Sequence, residues 1–186
     1  MKPYCFTASI KHDKKTVARL NQVLQDTFHK WKKIFFAAVG FLFLLGGTAG
    51  KFDTRVSTVF IALGCWSLLL INYSARTKTR EMERNLNGYY PSISYQFGAE
   101  QIDMRIKAER ASVEYRGIVR WAFDHQYVYF FPSEDSVFML DRRTLSPGDF
   151  PAFQVYIQER CKADWTALGA TNLETLVYTV KRLKKR

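Results

Sequence analysis

Cysteine is scarce in this chain, with three residues, Cys5, Cys65 and Cys161, an odd number at no short spacing. That excludes a disulfide framework and fits reduced thiols in or facing a reducing compartment. The three histidines, His12, His29 and His125, lie far apart with no Cys or second His at ligand spacing, so no metal site is expected. No glycine-rich phosphate loop follows a strand pattern, and no Ser or Cys stands in a nucleophile elbow. The chain therefore reads as having no catalytic residues, no cofactor and no enzymatic activity. The most consequential absence is of charge. From Ile34 to Ala49, and again from Val56 to Tyr73, there is no Asp, Glu, Lys, Arg or His.

Two adjacent uncharged blocks rich in Phe and Leu would overfill the core of a 186-residue soluble protein. They are expected to form a transmembrane helical hairpin in the lipid bilayer, over 34–50 and 56–73. The first block alone covers only ~24 Å of a ~30 Å hydrocarbon core, and extension to Trp31 and Gly50 makes up the difference. It begins more than thirty residues into the chain, too late for a signal peptide. The short link at Gly50–Arg55 makes the two helices antiparallel neighbours. Lys30, Lys32 and Lys33 precede the first, and Arg76, Lys78, Arg80 and Arg84 follow the second. The positive-inside rule then puts both termini in the cytoplasm. Gly46 and Gly50 form a GxxxG pair, with Gly40, Ala62 and Gly64 as further small surfaces. Packing within one chain and assembly into a homo-oligomer both use such a pattern.

The net charge of +11 is unevenly spread. Residues 1–33 carry +6 and residues 161–186 carry +4, while residues 91–160 carry −2. A nucleic-acid binder would put its basic stripe on the folded domain, so nucleic acid is not an expected partner.

Around the hairpin, the pattern predicts a short strand at 4–10. Asp13 then caps an amphipathic helix whose face is Val17, Leu20, Val23, Leu24, Phe28 and Trp31. Together these make a cytoplasmic N-terminal segment, 1–33. A polar connecting helix occupies 74–91, starting at Ser74. From Ser92 the period becomes two. Gln101–Lys107 alternates, a turn at Ala108-Glu109 follows, and Arg110–Arg116 alternates again. Further strands are expected at Val119–Phe123, Tyr127–Phe131 and Val137–Leu140, separated by turns at Asp124-His125-Gln126 and Ser133-Glu134-Asp135. A helix with Phe150, Phe153, Ile157 and Cys161 on one face closes the domain at about 162. The fold class is an α+β membrane protein: a two-helix transmembrane hairpin plus a cytoplasmic antiparallel β-sheet domain (92–162), pleckstrin-homology-like. A basic amphipathic tail, 163–186, completes the chain.

Tyr95-Gln96-Phe97, Gln101–Lys107, Val119-Arg120-Trp121, Tyr127–Phe131 and the run from Phe138 through Asp141-Arg142-Arg143 to Leu145 resemble the YcxB-like family of bacterial membrane proteins. Asp141 stands where that pattern has Pro, and Arg142-Arg143 where it has Lys-Arg. The resemblance implies two membrane helices before a cytoplasmic domain, in the inner membrane of a bacterium, and no assigned reaction.

The polar pairs Asp124-His125 and Glu134-Asp135 fall where turns are required and read as solvated. Trp121 reads as a core anchor of the sheet. Arg142 and Arg143 are candidates for a lipid phosphate or an acidic partner. In the tail, Thr171 and Glu174 fit a capping box ahead of Leu176, Val177, Val180 and Leu183. Lys181, Arg182, Lys184, Lys185 and Arg186 surround the end of that face, suited to an anionic leaflet or to docking on the protein itself. The function implied is a membrane-anchored binding or regulatory module presenting its β domain to a protein partner or lipid headgroups. The alternative is a membrane-embedded inhibitor or immunity-type protein whose hairpin contacts a membrane-active target.

Overall fold

The computed structural model describes residues 5–50 and 52–168, which divide into two compact units. Residues 13–89 form one; those up to His12, together with those from Tyr90 onward, form the other. Among the described residues the class is α+β, with five α-helices and two four-stranded sheets.

The helical unit starts at α1 (Lys14–Phe28). Asp13 Oδ1 accepts from the Thr16 amide at 2.7 Å, and the Asp13 amide donates to Thr16 Oγ1 at 2.7 Å, a reciprocal cap. The Thr16 amide is the chief reason the Asp13 carboxyl titrates below its ordinary value. Val17, Leu20, Val23 and Leu24 are buried along one face, as their spacing predicts. That face does not extend to Trp31, which is 81% exposed. The helix breaks at His29 (φ −116°, ψ 27°), and the break takes Trp31 off the α1 stripe.

Next comes α2 (Lys30–Ala49), long and apolar enough to cross a membrane. The following helix, α3 (Thr54–Leu70), has 17 residues and meets α4 (Tyr73–Leu86) at a bend of 46°. Where α2 and α3 meet, the buried positions are small: Gly40 and Gly47 of one, Gly64 and Ser67 of the other. A Cβ on Gly40 would lie 2.8 Å from Leu68 Cδ2, and one on Gly64 would lie 2.9 Å from the Gly40 carbonyl oxygen. Ser67 Oγ donates to the Phe36 carbonyl at 3.0 Å, across the same seam. The seam runs through Gly40 and Gly64, two of the expected small surfaces, and through Gly47; of the expected Gly46–Gly50 pair only Gly46 borders α3. A Cβ on Gly46 would lie 3.3 Å from the Phe60 ring, and Gly50 caps the helix. α4 stops where Asn87 (φ +47°) and Gly88 (φ +78°) turn left-handed.

In the second unit, β1 (Phe6–Lys11), β2 (Ser92–Phe97), β3 (Gln101–Ile106) and β4 (Glu109–Glu114) form one antiparallel sheet in chain order. β1 pairs with β2 from Phe6↔Phe97 to Lys11↔Ser92, and the His12 amide donates to the Pro91 carbonyl at 3.1 Å. The helical unit is thus an insertion at the mouth of a β-hairpin. The expected 1–33 segment is cut after His12, because β1 completes its hydrogen bonds on a strand eighty residues away in sequence. The turn between β3 and β4 falls at Lys107-Ala108, one residue earlier than expected, with Lys107 at φ +53°.

The second sheet has the order β7-β6-β5-β8, from β5 (Arg120–Phe123), β6 (Tyr127–Ser133), β7 (Ser136–Asp141) and β8 (Asp164–Ala167). β8 runs parallel to β5, with Trp165 opposite Trp121, and was not expected. The helix α5 (Phe150–Arg160) contributes Phe153, Tyr156 and Ile157 to the core. Tyr95, Phe97, Trp121, Phe130, Phe131 and Phe153 are fully buried there. The two tryptophan rings stack with centroids 5.1 Å apart. Tyr95 links the sheets by donating to the Met139 carbonyl at 2.9 Å, and its burial raises its phenol pKa.

Candidate functional site

Arg142 and Arg143 sit in a 3₁₀ turn, Arg142–Thr144, directly after β7. Asp141, where the resembled pattern has Pro, supplies what that turn needs. Its Oδ1 accepts from the Arg143 amide at 2.9 Å, and its Oδ2 pairs with Arg143 Nη2 at 2.7 Å. Those bonds hold the Asp141 carboxyl below its ordinary range and raise the exposed Arg143. Arg142 points elsewhere. Its Nη1 donates to the Asp124 carbonyl at 2.7 Å, and its guanidinium lies 3.7 Å from the centre of the Phe150 ring. Half-burial there lowers its pKa, against the opposing pull of Asp124. The two arginines thus do not converge: one ties a turn to α5, and the other is paired at the surface. The remaining expected contact residues, Lys181, Arg182, Lys184, Lys185 and Arg186, lie outside the described residues.

Asp124 is not the solvated turn residue expected from the sequence. It is 5% exposed. Its Oδ1 accepts from the amides of Gln126 and Tyr127, both at 2.8 Å, and its Oδ2 accepts from the Tyr129 hydroxyl at 2.8 Å. A carboxylate so engaged braces the β5–β6 turn; its neighbour His125 is exposed. Trp121 takes the expected core position. Its Nε1 donates to Cys161 Sγ at 3.4 Å, and that buried thiol donates to the Tyr115 carbonyl at 3.2 Å.

Among the described residues, two hollows hold polar groups. One, about 420 Å³ and lined by Glu100, Glu114, Tyr115, Arg116 and Arg160, lies by the start of β3. Its polar groups serve the fold: Tyr115 and Tyr156 both donate to the Gly98 carbonyl, at 2.9 and 2.6 Å, and Arg160 stacks 3.6 Å over Tyr156.

The other is a groove of about 390 Å³ between α1 and α4, lined among others by Lys14, Gln22, Arg76, Thr79, Arg80 and Glu83. Arg76 and Arg80 are one turn apart, both exposed, and neither has an ion pair or hydrogen bond among the described residues. Lys14 Nζ approaches Glu83 Oε2 at 3.7 Å from a side chain 76% exposed. The second oxygen, Glu83 Oε1, is buried with no hydrogen-bond partner. Sequence reading counted Arg76 and Arg80 only as flanking charge. Their i, i+4 spacing with Glu83 three residues on was available in the sequence, but the opposite wall of the groove, from α1, was not.

Among the described residues no group of three or more His, Cys, Asp or Glu side chains is placed to hold a metal. No protein-family model, curated protein or solved structure matches the chain.

Proposed function

We propose that the chain is a two-pass protein of the bacterial inner membrane, with cytoplasmic termini. Its sheet unit serves as a binding or regulatory module held at the membrane surface. The observation that carries this reading is the hydrogen bond between His12 and Pro91, at the two ends of the helical insertion. If α2 crosses a bilayer, a chain whose ends are bonded to each other has to cross back before Pro91. α3, uncharged from Val56 onward, is the other apolar helix available, and its 17 residues cover ~26 Å.

The side-chain distribution supports the same reading. Phe35, Phe41, Leu42, Leu45, Val59, Trp66 and Leu69 are all 47% or more exposed, on two helices that bury mainly glycine and serine between them. Water would penalise that surface, whereas lipid would not. Trp31, Trp66 and Tyr73 fall at the ends of the helices that meet α1 and α4, beside the lysines and arginines. Aromatic belts mark both membrane interfaces, and an excess of lysine and arginine marks the cytoplasmic one. For the sheet unit, seven antiparallel strands in two sheets followed by α5 are similar to a pleckstrin-homology-type domain and agree with the YcxB-like resemblance. The ligand of that module is a protein partner or lipid headgroups.

Thiol labelling tests the topology. Cys161 is buried and would resist reagent on either side, so Cys5 is kept as the single native thiol, and Asp53→Cys reports on the α2–α3 link. In intact spheroplasts an impermeant maleimide is expected to modify Asp53→Cys and to spare Cys5 until lysis. Modification of Cys5 before lysis would reject the topology. Exchanging α2–α3 for an unrelated two-pass hairpin then tests the module reading. A co-purifying partner should be retained, and its loss would place the contact on the hairpin instead.

A further inference from the structure

We infer that the groove between α1 and α4 binds a phosphoethanolamine headgroup of a bilayer lipid. Its phosphodiester lies between Arg76 and Arg80, and its ammonium lies against Glu83. The inference rests on the membrane reading above and adds the ligand class. Two guanidiniums one turn apart repel each other, and with no acidic partner among the described residues they favour a bound anion. The same groove contains the opposite requirement. Glu83 Oε1 is buried and unpaired, a state that costs free energy until an N–H or O–H donor reaches it. Lys14 does not meet that need, since it approaches the other oxygen from solvent. A ligand that satisfies both ends carries a phosphate and a hydrogen-bond donor a few ångströms apart, and at a carboxylate a cationic donor bonds more strongly than a neutral hydroxyl. A groove of about 390 Å³ falls within the usual range for small-ligand sites.

The order of these groups along α4 matches that of a lipid. Measured from Ile71, at the end of α3, Arg76 lies ~7.5 Å along the helix, Arg80 ~13.5 Å and Glu83 ~18 Å. The 46° bend between α3 and α4 brings all three closer to the bilayer plane than those lengths alone would. The headgroup layer is roughly 5–7 Å deep on each side. Arg76 is thus the nearest of the three to the bilayer and Glu83 the farthest, the order in which a headgroup extending from the surface carries its phosphate and its ammonium. A choline headgroup has the same phosphate but no N–H to give Glu83, and a glycerol headgroup has no cation.

The test uses the full chain purified in mild detergent and titrated with phosphatidylethanolamine, phosphatidylcholine and phosphatidylglycerol of identical acyl chains, with bound lipid counted by native mass spectrometry. The ethanolamine lipid is expected to bind about tenfold more tightly than the choline lipid, as for one charged hydrogen bond, and more tightly than the glycerol lipid. Glu83→Gln should erase the ethanolamine-over-choline preference and leave residual binding. Glu83→Asp, which keeps the charge on a shorter arm, should leave an intermediate preference and covers the case in which the Gln variant melts early. Arg76→Ala or Arg80→Ala should weaken all three lipids, and Arg84→Ala, outside the groove, should change none. Equal binding of ethanolamine and choline lipids would overturn the proposal, and so would strongest binding of the glycerol lipid. Soluble phosphoethanolamine at matched concentration is expected to compete weakly. Full competition would assign the groove to a soluble compound and reject the lipid. Recovery of the chain in the soluble extract without detergent would instead reject the membrane reading, before any lipid is added.

Discussion

Asp13, Asp124 and Asp141 each accept from a backbone amide two or three residues ahead, and each closes a turn or helix start. Their contributions differ because their burial differs. Asp13→Ala removes an N-cap and should cost about 1 kcal/mol, read as a lower melting temperature of the detergent-solubilised chain. Asp124→Ala leaves two amides and the buried Tyr129 hydroxyl without their acceptor. It should cost about 3 kcal/mol, well beyond Asp124→Asn, whose amide oxygen still accepts. Asp13 and Asp141 also set a pH dependence. Both carboxyls titrate below 3.8 in the folded chain, so their stabilisation is present above that value and is lost as pH falls through the depressed folded values. The doubly substituted Asp13→Asn, Asp141→Asn chain should start less stable at neutral pH and lose less between about pH 5 and pH 2. An acid-melting profile parallel to that of the unsubstituted chain would contradict this assignment.

At the level of elements, the α2–α3 seam and β8 are the contacts most exposed to a single substitution. A Cβ on Gly64 would meet a backbone oxygen of Gly40, which cannot swing aside as a side chain does. Gly64→Ala should therefore separate the helices at a cost of about 1–3 kcal/mol, whereas Gly46→Ala faces only the Phe60 ring and should cost less than about 1. Equal melting of the two variants would place the seam elsewhere. In the sheet unit, Trp165 is 5% exposed and touches the rings of Trp121, Phe123, Phe150 and Phe153. Trp165→Ala should cost about 3–5 kcal/mol, close to the loss expected for a core aromatic. A change below 1 kcal/mol would mean that β8 is dispensable to the sheet.

For the whole molecule, the insertion of the helical unit between β1 and β2 decides what can be separated from what. A fragment restricted to 91–162 lacks both β1 and β8, so it exposes the edge of β2 and loses Trp165. It should not fold. A chain joining residues 5–12 to 91–168 through an Asn-Gly turn restores both, because Lys11 and Ser92 already face each other at a hairpin end. That chain should melt cooperatively in water, Met104→Asp should abolish the transition, and Arg105→Glu should shift it little. Failure of the joined chain to fold would show that the sheet unit depends on the helical one.

The sequence by itself determined the features that depend on neighbours a few residues apart. The Asp13 cap, the α1 stripe, the alternation of β2 and β3 and the uncharged stretch of α2 were legible because capping, helical period and strand pleat repeat locally. What the tertiary structure decided are the pairings between distant residues. β1 reads as an isolated strand until β2 closes on it, and β8, four residues long, carries too little alternation to be recognised before Trp165 stacks on Trp121. Glycine spacing offered several possible seams, and only the backbone approach at Gly40 and Gly64 selects one. Asp124 was read as solvated because a turn usually is; instead it is buried, with the Tyr129 hydroxyl and two backbone amides on its carboxylate. The groove at Arg76, Arg80 and Glu83 has one wall from α4 and the other from α1, some sixty residues earlier in the chain. Local patterns specify elements, but a site shared by two of them exists only once their packing sets the distance between its walls.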